Sequence, residues 1–409
     1  MSPTVEIFSL DNGLRVVCRK SAADVDYCGV VVNAGSRDES PSTFGLAHFV
    51  EHTIFKGTLR RRSCHIINRM EAVGGELNAY TTKEETVIYS IFPHGHLGRA
   101  AQLIADLLIN SQFPTAEIER EREVVASEID SYLDAPADAI YDDFDDIIFA
   151  GTPLGHNILG PIENVNAFTS ESCRSFVNSF YKPENIVFFY YGNSRPKDVA
   201  RIVERHFSVM KSASQSVVRQ QIVINRGSII NSVRNIDSHQ AHTILGAIIP
   251  GMHDSMRHAV SLMVNILGGP GMNSKLNVAL RENRGLVYMV EASSVLFSDV
   301  GMTTIYYGCD HADVNRCRRL INNQIRRLID TPLTQRQLDN ARRQYLGQLT
   351  VASDNAAELA ISTGRSLLNY GKVASPEEII GCYNAITPAD IQQAASLLNP
   401  DSLSSLSFI

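Results

Sequence analysis

Two histidines and a glutamate lie within five residues, in the stretch His48-Phe49-Val50-Glu51-His52. Residues four apart lie one above the other on a helix, so His48 and His52 would direct two imidazoles to one point. Glu51 would project from nearly the same face. Two neutral imidazoles beside a carboxylate suit a zinc ion and a base for a water molecule next to it.

The residues around this stretch favour burial. Most of them are apolar: Phe44, Leu46, Ala47, Phe49, Val50, Ile54 and Phe55. Burying three ionisable groups together is costly unless something neutralises them, and a divalent cation does so directly. The alternative is a solvent-facing helix that carries these polar residues by chance, and its apolar neighbours argue against that.

A helix predicted from Thr115 to Leu133 offers a third ligand, with Phe113-Pro114-Thr115 as its start signal. Helical periodicity places an apolar stripe on one of its faces: Ile118, Val124, Val125, Ile129 and Tyr132. Glu121 and Glu128 are two turns apart and fall inside this stripe. We expect Glu128 to be the third ligand and Glu121 to be a helper beside the metal. Glu121 could instead be a salt-bridge partner that holds the helix.

These residues resemble the pitrilysin–insulinase family of zinc metallopeptidases, the inverzincins with an H-x-x-E-H motif. The local match is GLAHFVEHTIFKGT, followed by ERERE leading to VVASE. The resemblance implies zinc, one ion per chain, on His48, His52 and Glu128, with Glu51 as general base and Glu121 as an accessory glutamate. Further matching segments span nearly the whole chain: Gly74 to Tyr89, Pro153 to Pro161, Tyr181 to Val187 and Leu280 to Tyr288. The chain is similar to the short bacterial processing-peptidase-like members of this family.

Composition narrows the class of protein. A chain of 409 residues suits two domains, and its 44% hydrophobic and 20% charged residues are typical of globular proteins. No apolar run is long enough to predict a membrane span, and the N-terminal residues lack a signal-peptide pattern. Seven cysteines without C-x-x-C spacing favour reduced thiols and a cytoplasmic protein. A net charge of −7 argues against nucleic acid as a partner.

An internal repeat organises the chain. The segment Val31 to Ser40 recurs as Leu245 to Ser255, and Phe168 to Phe176 recurs as Ile386 to Ala394, at a nearly constant separation. We therefore predict an α+β fold with two homologous domains, each a mainly antiparallel sheet covered by helices, which together form half of a clamshell. The predicted limits are 1–212 for a zinc-binding domain, 213–232 for a linker and entry strand, and 233–409 for a metal-free domain.

The second copy lacks the metal ligands. The counterpart of the histidine helix falls around Ser261 to Gly269, which contains no histidine or carboxylate. The counterpart of Glu128 falls near Gly347-Gln348. We expect the second domain to act as a lid or a binding wall.

Substrate contacts are predicted on two segments. Gly74-Gly75 precedes a β-prone run that is either an edge strand able to pair with an extended peptide or an ordinary interior strand. The family resemblance favours the edge strand and implies substrate pairing near Asn78, Ala79 and Thr81. It also brings Arg281 and Tyr288 to the zinc site as catalytic residues, although by themselves they read as a packed surface turn.

The sequence thus predicts a zinc endopeptidase that hydrolyses short or unfolded peptides in an enclosed chamber, with Glu51 activating water at the zinc. The resemblance implies a homodimer, or a heterodimer with a related inactive chain. The alternative is a non-catalytic scaffold subunit of a heterodimeric peptidase. We expect peptide partners, no nucleic acid and no membrane. His94, His96, His156, His239 and His242 lack spacing toward the main motif and are interpreted as structural or surface residues.

Overall fold

The computed structural model describes residues 5–212, 219, 221–222, 229–236 and 238–409. The strands of the first sheet are β1 (Val5–Ser9), β2 (Arg15–Lys20), β3 (Val25–Val32), β4 (Glu76–Thr81), β5 (Thr86–Pro93) and β6 (Ile186–Gly192). The helices in the same part of the chain are α1 (Leu46–Ile54), α2 (Ser63–Glu71), α3 (Leu97–Asn110), α4 (Thr115–Leu133), α5 (Pro136–Ile148), α6 (Ile162–Ala167), α7 (Ser170–Phe180) and α8 (Pro196–Phe207).

The second half has a similar series of strands and helices, without counterparts of β1 and α8 among the described residues. Its strands are β7 (Asn231–Arg234), β8 (Ala241–Pro250), β9 (Val287–Leu296), β10 (Val300–Cys309) and β11 (Ser404–Phe408). Its α-helices are α9 (Arg257–Gly268), α10 (Val314–Asp330), α11 (Gln335–Ala352), α12 (Ala356–Tyr370), α13 (Pro376–Ala385) and α14 (Pro388–Ser396).

The two sheets share an order of five strands, and the first sheet adds β1 beside β2. The first has the order β1-β2-β6-β3-β5-β4 and the second the order β7-β11-β8-β10-β9. In each, one parallel pair, β2 with β6 or β7 with β11, lies beside strands that pair antiparallel. This matching order confirms the predicted duplication and the α+β fold of two mainly antiparallel sheets with helices. The predicted half-clamshell arrangement stays a prediction.

Each compact unit takes one helix from the other half of the sequence. The first unit comprises residues 1–130, 156–220 and 353–374, and the second comprises 131–155, 221–352 and 375–409. Thus α12 packs on β2, β3 and β6 of the first unit, whereas α5 packs on β8 and β11 of the second. The predicted linker, 213–232, lies mostly outside the described residues, and the predicted domain limits stay a prediction.

Each unit has its own apolar core. In the first, α1, α3 and α7 cover one face of the sheet and bury side chains such as Phe49, Leu103 and Phe188. In the second, α9, α10 and α14 pack together over side chains such as Leu262, Ile305 and Ile321. The seven cysteines are all free thiols. Among the described residues, no helix combines the length and the apolar character that crossing a membrane requires.

Candidate metal centre

Helix α1 carries the histidine motif and is buried along most of its length. Its buried residues include Phe49, Val50 and Ile54, which anchor it in the core. The imidazole centroids of His48 and His52 lie 4.6 Å apart, as residues four apart on a helix should. The predicted burial of this helix is confirmed.

Helix α4 brings Glu128 to the two imidazoles. Oε2 of Glu128 lies 3.7 Å from Nε2 of His48 and 3.4 Å from Nε2 of His52. The ligand atoms of these three residues all lie within 4.8 Å of one another. A tetrahedral zinc ion with bonds of about 2.0–2.1 Å holds its ligand atoms about 3.3 Å apart, so the two measured separations fit zinc.

The protonation of His48 also suits a metal. Burial, with a smaller contribution from the nearby His52, lowers the pKa of His48 to about 3. The imidazole is therefore neutral at ordinary pH and keeps a lone pair for a cation. Three donors, two imidazoles and a carboxylate, match the protein ligands of catalytic zinc sites.

The helix predicted from Thr115 to Leu133 has those bounds in the structure. The stripe within it needs one correction, because Val124 is 48% exposed while Ile118 and Val125 are buried. Around the helix axis, Val124 lies on one side of the predicted stripe and Ile118 toward the other. The core covers only the side of Ile118. Glu128 lies toward the exposed margin, which leaves its side chain 43% exposed and open to the site.

Glu121 is buried and connects two residues. Its Oε2 lies 3.2 Å from Nδ1 of His52, and its Oε1 lies 2.6 Å from Nζ of Lys56. A carboxylate that accepts the Nδ1–H of a ligand histidine leaves Nε2 free for the metal. The arrangement therefore combines the two roles weighed for Glu121, a helper of a ligand and a salt-bridge partner.

Lys56 was missed in the sequence reasoning. Helix α1 ends at Ile54, so a pattern confined to the helix does not reach Lys56. The sequence did contain one signal for Lys56. It lies four residues after His52, which helical spacing places on the side of Glu121, a glutamate predicted to be buried.

Glu51 faces a cavity of about 360 Å³ beside β4. The cavity is lined by residues that include His52, Leu77, Asn78, Ala79 and Glu121. Burial raises the pKa of Glu51 above its usual value, and the nearby Thr81 and His52 partly oppose this. A carboxylate with a raised pKa is a stronger base when ionised, as general-base catalysis requires.

Strand β4 lies at one end of the first sheet in the strand order of the described residues, where it pairs with β5. Asn78 is opposite Tyr89 and Ala79 is opposite Ile88 in this antiparallel pair. The sequence left open an edge strand or an interior strand, and β4 is the edge strand. The predicted binding residues Asn78 and Ala79 therefore lie on an edge strand that borders the cavity.

Arg281 and Tyr288 belong to the second unit. The guanidinium carbon of Arg281 lies 5.8 Å from the centroid of the Tyr288 ring, a cation–π distance, and Tyr288 is 80% exposed. The structure thus pairs these two residues with each other. Their predicted contribution to catalysis stays a prediction.

Comparison with known proteins agrees with this geometry. The model of the family described as Insulinase (Peptidase family M16) matches residues 15–162, and the model described as Peptidase M16 inactive domain matches residues 167–345. The chain is 32% identical to an uncharacterized zinc protease of Mycobacterium leprae over 96% of this chain and 88% of the relative. It is 30% identical to one of Rickettsia bellii over 99% and 97%.

Solved structures show the same fold. A protease from Helicobacter pylori superimposes with a TM-score of 0.93 at 19% identity, covering 100% of both chains. A structure from Pseudomonas fluorescens described as a peptidase M16 inactive domain gives 0.92 at 18% identity, covering 99% of this chain and 97% of that one. From the two family models and the relatives that span its length, this chain belongs to peptidase family M16.

Proposed function

We propose that this chain is a zinc-dependent endopeptidase that hydrolyses short or unfolded peptides. The observation that carries the proposal is the convergence of His48, His52 and Glu128, together with a cavity that His52 and Glu51 line and that an edge strand borders. The relatives named above as zinc proteases support it. His48, His52 and Glu128 would hold one zinc ion, which would supply Lewis-acid polarisation of the scissile carbonyl.

Glu51 acts as the general base. Its carboxylate accepts a proton from the attacking water and then passes it to the amide nitrogen that leaves, so the same group serves as base and acid. The cavity beside it leaves space for a peptide backbone. Glu121 and Lys56 keep the His52 ring oriented throughout.

Strand β4 binds the peptide backbone. An extended peptide that adds to the free edge of β4 would form main-chain hydrogen bonds near Asn78, Ala79 and Thr81. Recognition of main chain gives broad side-chain tolerance and requires that the substrate be locally unfolded. Arg281 and Tyr288 would contact the substrate carbonyl, an arginine by fixing it and a phenol by donating to the oxyanion.

The family resemblance and the free cysteines also support an oligomeric state and a location for the enzyme. We propose a chain that works as a homodimer, or as a heterodimer with a related inactive chain, around an enclosed chamber. We propose a cytoplasmic location, supported by seven cysteines that are all free.

A peptidase assay tests the proposal. Internally quenched fluorescent peptides should be cleaved between internal residues by the purified protein. A chelator should abolish cleavage, and zinc added back should restore it. Cleavage that survives complete removal of metal would contradict the proposal, and zinc-loaded protein that cleaves no peptide in a broad library would favour the scaffold subunit instead.

A further inference from the structure

A buried carboxyl group lies under the start of the metal-binding helix α1. The side chain of Glu39 is 0% exposed. Its Oε1 accepts a hydrogen bond from the backbone N–H of Ala47 at 2.6 Å, and its Oε2 accepts one from the N–H of Gly45 at 2.8 Å. Glu39 therefore satisfies two backbone donors next to His48, the first metal ligand.

Helix α1 lacks a local cap. Its N-cap residue is Gly45, which has no side chain to accept a hydrogen bond from the first turn. Serine, threonine, aspartate or asparagine normally fills that role. Here the acceptor comes from Glu39, whose two carboxyl oxygens satisfy the helix start although burial raises the pKa of this group to about 8.

Glycine is required where the chain passes this helix start. Gly45 has a φ of 98°, and a Cβ on it would lie 2.4 Å from the carbonyl oxygen of Leu159. Gly160 has a φ of 70°, and a Cβ on it would lie 2.1 Å from the carbonyl oxygen of Phe44. The two backbones therefore touch, and the segment that begins at His156 is fixed against the start of α1.

His156 holds the Glu39 carboxyl in place from this segment. Its Nε2 lies 3.2 Å from Oε2 of Glu39, and its ring stacks on Phe44 with centroids 3.7 Å apart. The ammonium group of Lys83, on the β4–β5 turn, donates to the carbonyl oxygen of His156. His156 is itself buried, so the set forms a packed polar support beneath the helix.

We propose that Glu39, held by His156, is a positioning residue for the metal centre. By fixing the first turn of α1, it sets the rotation of the helix and hence the direction of the His48 and His52 imidazoles toward Glu128. The inference rests on the proposed zinc function and adds residues that do not touch the metal. Partners that orient metal ligands typically change metal affinity by about 10–100-fold when removed.

Helix α9, the counterpart in the second unit, supplies a matched control. Oδ1 of Asp254 accepts a hydrogen bond from the backbone N–H of Met256, the N-cap residue of α9, at 2.7 Å. Asp254→Asn likewise replaces a carboxyl group by an amide, at the start of a helix without the metal ligands. Any general effect of losing an acid near a helix N-terminus would therefore appear in both variants.

The test compares Glu39→Gln, His156→Phe and Asp254→Asn in the full chain. Zinc affinity is measured by competition with a chromophoric chelator, and hydrogen exchange is measured on the amides of residues 45–50. We expect Glu39→Gln to weaken zinc binding about ten-fold and to speed exchange in this segment. His156→Phe keeps a ring to stack on Phe44 and should have a smaller effect in the same direction. Asp254→Asn should change neither quantity.

Folded Glu39→Gln protein with wild-type zinc affinity would overturn the role of Glu39. An equal loss of affinity in Asp254→Asn would overturn it too, because the effect would then be general. If Glu39→Gln does not fold, His156→Phe decides, and wild-type affinity and exchange in that variant overturn the proposal. Wild-type protein that binds zinc without cleaving peptides would contradict the proposed function and leave this test intact.

Discussion

The two units contain the same pair of neighbouring helices, but different side chains join the two helices in each unit. In the first, α1 and α4 bring His48, His52 and Glu128 together. In the second, α9 and α11 stand in the corresponding places, and there Nδ2 of Asn265 donates to Oε1 of Gln348 at 2.8 Å. The same pair of helices is thus joined by a metal-ligand set in one unit and by a neutral amide pair in the other.

This difference shows which side chains a metal site needs in addition to the fold. The two amides meet through one neutral hydrogen bond, whereas imidazoles and a carboxylate packed together leave lone pairs directed at one point. The duplicated fold therefore supplies the positions, and a few side chains determine whether the positions bind a cation. Surrounding residues differ as well, since the first unit adds Glu121 and Lys56 behind its ligands.

We expect the largest effect from a change at Glu51, the proposed general base in the first unit. Glu51→Gln should lower kcat about a thousandfold, because the amide cannot accept the proton from water. Zinc content should stay at the wild-type level, since Glu51 is not a ligand. Peptide turnover and metal analysis on the same sample measure both. Glu123→Gln, the same change at an exposed position of α4, is the control, and turnover near wild type in Glu51→Gln would remove Glu51 from the mechanism.

A second prediction concerns the buried ionisable groups around α1. Burial, together with the charge of Lys83, lowers the pKa of His156 from 6.5 to about 4. An unfolded imidazole binds a proton below pH 6.5 while the folded one does not until about pH 4. The free energy of unfolding therefore falls as the pH falls through this window.

At pH 5 this contribution is about 2 kcal/mol. Denaturant unfolding at pH 7 and pH 5 should show that His156→Phe loses less stability on acidification than the wild type does, by about that amount. His65→Gln removes an exposed imidazole and serves as the control. Equal losses in His156→Phe and the wild type would refute the assignment.

A third prediction tests the support behind His52. Lys56→Met removes the cation 2.6 Å from Glu121 and leaves that buried carboxylate with His52 alone. We expect zinc affinity to fall about ten-fold, because the orientation of the ligand histidine is less well fixed. Arg120→Met removes the exposed ion pair between Arg120 and Glu117 on α4, the helix that carries Glu121. This control should leave zinc affinity unchanged. Unchanged affinity in Lys56→Met would show that Lys56 has no part in holding the ligand.

The smallest effect is expected in the second unit. Asn265→Ala breaks the amide pair with Gln348 and should cost about 1 kcal/mol of unfolding free energy. Zinc affinity should not change, because the pair lies in the unit without the ligands. Calorimetry and chelator competition together separate the two quantities. A loss of zinc from Asn265→Ala would contradict the division of roles between the units.

Much of the site follows from local sequence patterns. Helical spacing places His48 and His52 on one face, and Pro114-Thr115 marks the start of α4. Residues that reach the site from outside the helices were not predicted. Lys56 continues the spacing of His48 and His52 but lies beyond the end of α1, and Glu39 precedes that helix. The exchange of α5 and α12 between the units was also not predicted. The exchange depends on long-range packing, because the local sequence of each helix is the same whichever sheet it packs on.

The most direct test of the metal centre is anomalous scattering from a crystal of the zinc-loaded protein, measured on both sides of the zinc absorption edge. We expect one peak per chain, about 2.0–2.2 Å from Nε2 of His48, Nε2 of His52 and a carboxylate oxygen of Glu128. Glu128→Gln crystals should lose the peak or show it strongly reduced. A zinc peak held by other residues, or full occupancy in Glu128→Gln, would show that these three side chains do not form the zinc site.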